Sequence, residues 1–212
     1  MSSYQQEQTD ALQMVAEHQQ SLPEKDKRAL VDLAGEYLVF RKNIAAFFSV
    51  YLSDVCTLKC YKNRLSACCS KEGIITFFAD VVINALVSSE EEIRSLLRAL
   101  AVENKGYKCI YLGPDGCLWQ LKPIVCEMFV CKDAQEKIFN SAPEARKKWE
   151  EFKQLQKRFT WPDRPVLFDA LEAIFLKAGY TSTLMYLHNT PGLLRLKQRT
   201  KSKCTGTRTK TR

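Results

Sequence analysis

The chain has 212 residues, of which 46% are hydrophobic and 26% charged, a composition that excludes intrinsic disorder and predicts a soluble folded protein. A chain of this length can bury a hydrophobic core without disulfides or a structural metal, so we expect any metal to support only a local region. The net charge of +8 equals the eight lysines and arginines of residues 195–212, where no acidic residue occurs.

The N-terminus and the most apolar stretch predict where the protein resides. MSSYQQEQTD lacks the basic region and apolar run of a signal peptide. The stretch from Ile74 to Val87 is interrupted by Asp80 and is shorter than the roughly 20 residues that cross a bilayer. We therefore expect a cytoplasmic protein with no membrane span.

Two helices are predicted before the first cysteine. Leu12, Val15 and Ala16 indicate an amphipathic helix over residues 5–20. Ser21-Leu-Pro-Glu24 has the form of a capping box with an early proline. The apolar spacing that follows predicts a helix from about residue 24 to residue 55, which would deliver Cys56 at its C-terminal end.

The next segments alternate between loop and helix. Residues 57–72 are basic and irregular, as expected of a ligand-bearing loop. The apolar run that begins after Gly73 predicts a buried helix, and Ser89-Glu-Glu-Glu92 is expected to cap another helix.

Glycine and proline are concentrated between residues 106 and 123, which predicts loops or a hairpin. Two very short strands are expected on either side of a tight turn at Gly113-Pro-Asp-Gly116. Pro123 is then expected to begin a short helix that holds Cys126 and extends toward Cys131.

The C-terminal third is again helical in pattern. Ser141-Ala-Pro-Glu144 is expected to cap a charged helix that ends near residue 158, and Asp163-Arg-Pro165 to start another that ends near Gly179. One more helical segment is predicted over residues 181–198, and a solvated, disordered basic tail over residues 195–212.

Together these elements predict a mostly α fold, a helical domain with a central cysteine-rich loop region that contains at most a short β-hairpin. We divide it into N-terminal helices (1–55), a cysteine-cluster metal-binding region with inserted helices (56–131) and C-terminal helices on the same domain (132–194). The basic tail (195–212) completes the chain.

Cysteine placement is the strongest functional signal in the sequence. Eight of the nine cysteines lie between residues 56 and 131, whereas buried core thiols would scatter with the core. Disulfides are not expected in a reducing compartment, so metal ligation best explains the clustering. The predicted ligands are Cys56, Cys60, Cys68, Cys69, Cys109, Cys117, Cys126 and Cys131.

The spacing leaves the metal open. Cys56 and Cys60 share one face if they lie on a helix, but the adjacent side chains of Cys68 and Cys69 diverge unless the backbone turns tightly. Neither group forms the paired CxxC knuckles of ordinary zinc fingers. Thiolate-only ligation suits zinc, copper(I) or iron–sulfur clusters.

The segment KCIYLGPDGCLWQLKPIVCEMFVC (108–131) resembles the second half of the YkgJ-type cysteine-cluster family, the CxxCxxCC zinc- or iron-chelating domain. In that family a cysteine opens a short strand, a glycine-bearing turn leads to a second cysteine, and an Arg-Pro-x-x-Cys step follows. Cys56, Cys60 and the Cys68-Cys69 pair resemble the first half. The resemblance implies binding of a metal or an iron–sulfur cluster, with the iron–sulfur cluster slightly preferred.

The sequence departs from the family pattern in three ways. The gap before Cys68 is wider than in the family, Lys122 stands where arginine is usual, and Glu127 stands where another basic residue is common. Lys122 keeps the positive charge of arginine but loses the guanidinium fork, and Glu127 removes positive charge from beside a thiolate-rich site. Charge compensation is expected instead from Lys59, Lys62, Arg64, Lys71, Lys105 and Lys108.

Three functional hypotheses follow. The first is a metal-binding protein that acts in metal handling, in redox transfer or as an accessory to a protein partner. The second is a nucleic-acid-associated zinc protein, which binds nucleic acid or another polyanion through its basic tail. The third is a thiol redox sensor that uses Cys68 and Cys69 or another pair. His18 and His188 are each isolated and are expected to be structural or exposed.

Overall fold

The computed structural model describes residues 3–62, 68–70, 75–161 and 163–185, together with Gly192 and Arg195, and within these it leaves out the side chains of residues 57–61. The fold is mostly helical, as predicted. Its α-helices in the described residues are α1 (Ser3–Ser21), α2 (Glu24–Phe47), α3 (Phe78–Val87), α4 (Glu90–Ala101), α5 (Ile124–Glu127), α6 (Lys132–Ser141), α7 (Pro143–Thr160) and α8 (Leu167–Lys177). A π-helical segment (Phe48–Tyr61) follows α2, and a 3₁₀ turn (Thr183–Met185) follows α8.

The helices pack around one hydrophobic core. Helix α1 lies against α3 and α4, and α8 lies against α3, α7 and α2. Aromatic rings fill the centre, where Tyr37 meets Phe159 and Phe168 edge-on at 5.3 and 5.6 Å between ring centroids. Such edge-to-face contacts favour one fixed arrangement of the helices that carry them.

Helix α1 also satisfies polar backbone at the end of α4. The buried Gln5 side chain donates hydrogen bonds to the carbonyls of Leu100 and Val102, both at 2.7 Å. The last carbonyls of a helix lack partners within it, so this amide replaces water at a buried helix end. The predicted amphipathic pattern of α1 is confirmed, since Leu12 and Val15 are fully buried.

The predicted hairpin is confirmed but is shorter than expected. Strands β1 (Leu112–Gly113) and β2 (Gly116–Cys117) are antiparallel, with Leu112 opposite Cys117. Pro114 and Asp115 form the turn, and Gly116 adopts a φ of +126°, which favours glycine because other residues carry a Cβ. One further hydrogen bond, from Leu118 N–H to the Tyr111 carbonyl (2.9 Å), extends the contact beyond the paired strands.

The predicted course of the chain from α2 into a loop is wrong. Helix α2 ends at Phe47 rather than near residue 55, and the chain stays helical to Tyr61 with the wider π pitch. Residues 57–61 are therefore not part of a loop. The stack of Phe47 on Trp149 of α7 (5.6 Å, 17°) and the edge contact of Phe48 with the same ring hold the start of this segment. Residues 63–67 and 71–72 of the predicted ligand loop lie outside the described residues.

Two predicted helix caps are also wrong, for the same physical reason. Ser21 and Ser141 are the last residues of α1 and α6, and each hydroxyl donates back to a carbonyl of its own helix. Neither serine is therefore at the start of the next helix, where Pro23 and Ala142 occupy the N-cap positions without a side-chain cap.

The remaining C-terminal predictions are corrected in their bounds. Helix α8 begins at Leu167 rather than at residue 163, and Asp169 caps it by accepting a hydrogen bond from Val166 N–H at 2.9 Å. Most of the segment predicted over residues 181–198, and all of the basic tail except Arg195, lies outside the described residues. In the part of the chain that is described, no helix combines the length and the apolar character needed to cross a membrane.

The capping box of α4 is confirmed and can be tested. Glu92 N–H donates to Ser89 Oγ (3.3 Å), while Ser89 N–H donates to Glu92 Oε2 (2.7 Å). We expect Ser89→Ala to lower the free energy of unfolding by about 1 kcal/mol in urea denaturation, because an N-cap hydroxyl is lost. Ser95→Ala within the same helix is the matched control and should change stability by less than about 0.5 kcal/mol. Equal effects of the two substitutions would contradict the assignment.

Candidate metal centre

The Cys68-Cys69 pair is held against the chain that leads into the hairpin. Cys109 N–H donates to the Cys69 carbonyl at 2.9 Å, and Ser70 forms an antiparallel bridge with Lys108. These backbone contacts join two segments that are about 40 residues apart in sequence. They bring the Cys68-Cys69 pair of the first group beside the chain at Cys109.

The hairpin and α5 supply three more thiols. Cys109 precedes β1, Cys117 ends β2, and Cys126 lies in α5, which begins after Pro123 as predicted. Tyr4 of α1 lies against this group, since its phenol interacts electrostatically with Cys109 and Cys126. The edge-to-face contact of Tyr111 with Trp119 (5.5 Å) adds an aromatic surface beside the same turn.

Five thiols form one mutually interacting group, which we name the thiol cluster: Cys68, Cys69, Cys109, Cys117 and Cys126. Each lies close enough to others that ionisation of one raises the pKa of its neighbours. Cys69 interacts in this way with Cys109 and Cys117. Cys126 interacts with Cys117 and Cys68, and Cys109 interacts with Cys117 and Cys126. The cluster thus joins thiols from three separate stretches of chain.

The adjacent thiols of Cys68 and Cys69 interact with each other. The thiol of Cys68 donates a hydrogen bond to the sulfur of Cys69, which raises the pKa of Cys68 and lowers the pKa of Cys69. Cys68 is exposed and Cys69 is half-buried. Cys68 lies in a turn of the backbone.

Burial has the largest effect on the pKa values of the other three thiols. Loss of hydration raises the pKa of Cys109 and of Cys126 to about 11, and it also raises the pKa of Cys117. A half-buried thiol of this kind stays protonated at neutral pH until a cation or a metal replaces the proton.

Backbone N–H groups oppose this effect at the same sulfurs. The amides of Tyr111 and Leu112 lower the pKa of Cys109, the amide of Trp119 that of Cys117, and the amide of Ile75 that of Cys126. Hydrogen bonds to sulfur stabilise thiolates and tune metal–thiolate centres. Leu112 N–H also donates to the Cys109 carbonyl at 3.1 Å. The amides of Tyr111, Trp119 and Ile75 are thus directed at one sulfur each.

Three buried polar side chains fix the segment that carries Cys126. Asp80 of α3 accepts hydrogen bonds from Phe77 N–H (3.1 Å) and Ile124 N–H (3.0 Å). Asn84, one turn later on α3, accepts from Leu121 N–H at 2.8 Å. Arg41 of α2 donates to the Lys122 carbonyl at 2.6 Å. We call this set (Asp80, Asn84 and Arg41) the polar clamp.

Sequence analysis missed the polar clamp. Asp80 and Asn84 lie four residues apart within the apolar run of α3, and both are buried. Two polar residues on one face of a buried helix signal hydrogen bonding to another element, because a buried polar group without a partner is costly. The signal for Arg41 is weaker, since it lies on a helix with many charged residues.

A cation outside the predicted set interacts with the thiols. Lys122 interacts with Cys69 and Cys117. Among the six cations proposed from sequence, Lys62 is exposed, Lys105 pairs with Glu103 (3.4 Å) and Lys108 lies over the Tyr107 ring (5.1 Å). The side chains of Lys59, Arg64 and Lys71 lie outside the described residues.

The three remaining predicted ligands are not placed in the thiol cluster by the described contacts. Cys56 lies in the π-helical segment and Cys131 is the N-cap residue of α6, and both are half-buried against the hydrophobic core. The side chain of Cys60 lies outside the described part of the chain. His18 packs edge-on against Phe175 and Tyr180 (4.7 and 4.8 Å), which is a structural role; His188 lies outside the described residues.

The donor set has the chemistry of a soft-metal site. Within the residues that the structure describes, no three His, Cys, Asp or Glu side chains already form a metal-binding group. The cluster nevertheless offers sulfur ligands, amides directed at sulfur, and a nearby ammonium, which fit zinc or an iron–sulfur cluster. Ligation by both Cys68 and Cys69 would displace the thiol protons of the pair.

Comparison of the chain with models of protein families, with curated proteins and with solved structures finds no match. The resemblance to the cysteine-cluster family therefore stays a prediction based on the motif residues.

The pH dependence of stability tests the environment of Asp80. Burial raises the pKa of this carboxyl group from its usual 3.8 to about 6. The folded protein therefore binds the proton more tightly than the unfolded chain, so this group lowers the free energy of unfolding as pH rises from about 4 to about 6. The loss should reach about 3 kcal/mol, at ~1.4 kcal/mol per pKa unit.

The Asp80→Asn variant lacks this titration and serves as the reference. In urea denaturation, wild type should lose stability relative to Asp80→Asn between about pH 4 and pH 7. Parallel pH profiles of the two proteins would show that Asp80 is not held as a buried, ionisable hydrogen-bond acceptor.

Proposed function

We propose that the protein binds a thiophilic metal centre, an iron–sulfur cluster or zinc, at the thiol cluster. On this proposal it acts in metal handling, in redox transfer or as an accessory to another protein. The observation that carries the proposal is the convergence of five thiols from three stretches of chain, with backbone amides directed at their sulfurs.

Ordinary core cysteines do not account for this arrangement. A buried structural thiol packs singly among apolar side chains, whereas these thiols interact with one another and Cys68 is exposed. Clustering half-buried thiols costs free energy whenever they ionise, because the thiolates repel each other. Such a cost is offset when a bound cation replaces the protons.

A disulfide role has less support. The five thiols of the cluster and Cys131 are free cysteines. Free thiols at this density are typical of a reducing compartment. A redox-sensor role would require an oxidant to remove two electrons and two thiol protons as a Cys68–Cys69 disulfide forms, and it would leave the amides at Cys109, Cys117 and Cys126 unexplained.

The two metal options supply different chemistry. A closed site of four thiolates around zinc stabilises local structure, whereas an iron–sulfur cluster supplies one-electron transfer. Cys68, Cys69, Cys109, Cys117 and Cys126 are the residues that would hold either group. The predicted family resemblance favours the iron–sulfur cluster.

The nucleic-acid alternative depends on the eight cations of residues 195–212. Apart from Arg195, these lie outside the described residues. A role for the tail in binding polyanions stays a prediction from net charge.

Metal content tests the proposal directly. Protein purified without oxygen should contain zinc, or iron with acid-labile sulfide, in a fixed ratio to polypeptide by elemental analysis. Cys117→Ser and the double variant Cys68→Ser/Cys69→Ser should lose most of this metal, because each removes soft ligands from the cluster. An iron–sulfur cluster would add visible absorption, whereas zinc would not.

The matched control is Cys204→Ser, the same substitution at the cysteine outside the 56–131 region. It should retain the metal content of wild type. Metal-free wild-type protein, or undiminished metal in both cluster variants, would contradict the proposal.

A further inference from the structure

The chain between α4 and the hairpin carries Cys109 but has little regular structure of its own. We name residues 100–111 the linking segment; it runs from the last turn of α4 to the residue before β1. One side chain closes its middle, since Asn104 Nδ2 donates to the Lys108 carbonyl at 2.8 Å and Asn104 Oδ1 accepts from Gly106 N–H at 3.1 Å. A segment with few backbone hydrogen bonds depends on such side-chain contacts to keep one conformation.

Helix α1 holds both ends of the linking segment with two buried glutamines. Gln5 Nε2 donates to the carbonyls of Leu100 and Val102, both at 2.7 Å. Gln8, which lies three residues later on α1, accepts a hydrogen bond from the Tyr111 hydroxyl at 3.3 Å. Both glutamines are at most 5% exposed. The two ends of the segment are therefore attached to the same helix.

Tyr111 connects α1 to both strands of the hairpin. It directly precedes β1, and its carbonyl accepts a hydrogen bond from Leu118 N–H, just after β2, at 2.9 Å. Its buried ring meets the Trp119 ring edge-on at 5.5 Å. The phenol is thus two residues from Cys109 in sequence and one hydrogen bond from α1. A displacement of the hairpin would move this phenol relative to Gln8.

The linking segment also contacts the chain that carries the adjacent cysteines. Cys109 N–H donates to the Cys69 carbonyl at 2.9 Å, and Lys108 forms an antiparallel bridge with Ser70. The segment therefore joins α1 to a second cysteine-bearing stretch through hydrogen bonds alone. Such a contiguous set of contacts is a physical route by which a change at one place in a protein can affect another.

The interface that α1 forms with the rest of the protein is partly polar. Leu12 and Val15 are fully buried, but Gln19 reaches the Val82 carbonyl at 3.2 Å. Gln8 Nε2 is buried and has no hydrogen-bond partner among the residues that the structure describes. A buried donor without a partner is costly, and polar interfaces within a chain open more readily than apolar ones. We therefore expect α1 to open locally while the rest of the core stays folded.

We infer that α1 is a strap across the linking segment, and that docking of α1 and metal loading of the thiol cluster favour each other. A metal bound through Cys109 and Cys117 would restrain the hairpin and with it the Tyr111 hydroxyl. A docked α1 in turn holds the segment that presents Cys109. Coupling of this kind is reciprocal, so each event favours the other by the same factor. The inference rests on the proposed function for the metal, whereas the contact between α1 and Tyr111 does not.

Tyr111→Phe tests the strap in metal-free, full-length protein, because it removes the hydroxyl that Gln8 accepts and keeps the buried ring. Hydrogen exchange followed by mass spectrometry should show the amides of α1 exchanging about fivefold faster in this variant, since one buried hydrogen bond is lost. Tyr107→Phe is the matched control. It removes a hydroxyl from the same segment, but Tyr107 is 76% exposed, so α1 should exchange as in wild type. Unchanged α1 exchange in Tyr111→Phe, or equal effects of the two substitutions, would overturn the strap.

Zinc added without oxygen tests the coupling in the same three proteins. With one equivalent of zinc bound, the α1 amides of wild type and Tyr107→Phe should exchange at least about fivefold more slowly than without zinc. The response of Tyr111→Phe should be less than about twofold, because its route from the hairpin to α1 is broken. If Tyr111 were merely structural, its substitution would speed exchange by the same factor with and without zinc, and that result would overturn the coupling.

The two proposals fail in different ways. Bound zinc that leaves α1 exchange unchanged in wild type would overturn the coupling and leave the proposed metal binding intact. Protein that contains no metal as isolated and binds no zinc would refute the proposed function and the coupling together. The metal-free comparison of Tyr111→Phe with Tyr107→Phe would then decide the strap by itself.

Discussion

The hydrogen bonds from the chain at residues 121–127 to buried side chains of α2 and α3 determine the layout of the site. Pro123 and Ile124 of this segment are buried, and a buried backbone N–H or C=O without a partner costs about 1–3 kcal/mol. Asp80, Asn84 and Arg41 each remove one such cost, at Ile124, Leu121 and Lys122. Because these partners are rigidly placed on helices, Cys126 and Lys122 take fixed positions relative to the hairpin.

Backbone N–H groups beside the hairpin also need hydrogen-bond acceptors, and here the acceptors are sulfur atoms. Its strands pair over only two residues each, so the amides that flank them are not used in a longer ladder. The amides of Tyr111 and Trp119 turn toward Cys109 and Cys117 instead. The short strands are therefore suited to the site, since longer pairing would divert these N–H groups to carbonyl oxygens.

Local features of the fold could be predicted from the sequence, and features that depend on distant partners could not. The capping box at Ser89, the turn at Gly113–Gly116 and the start of α5 after Pro123 are encoded within a few residues. The helix caps predicted at Ser21 and Ser141 are wrong because a capping pattern does not show whether the preceding helix has already ended. The π-helical segment is not predicted by apolar spacing, because a period of 3.6 residues describes an α-helix and not the wider π turn. The convergence of the cysteine-bearing stretches was expected from their clustering, but Arg41 and Asp80 have partners 81 and 44 residues away.

The charges around residues 122 and 127 explain how the site tolerates an acidic residue beside its thiols. The predicted family resemblance favours basic residues at both positions, and Glu127 would by itself oppose thiolate formation at Cys117. Arg41 reaches the same carboxylate from α2, so a cation absent from the local motif is supplied by another helix. The carboxylate lies 3.5 Å from the Lys122 ammonium and 3.9 Å from the Arg41 guanidinium, so two cations partly offset its charge. Compared with the family pattern, the local sequence lacks a positive charge at residue 127. In the folded protein, Arg41, which lies 86 positions earlier in the sequence, supplies a positive charge beside Glu127.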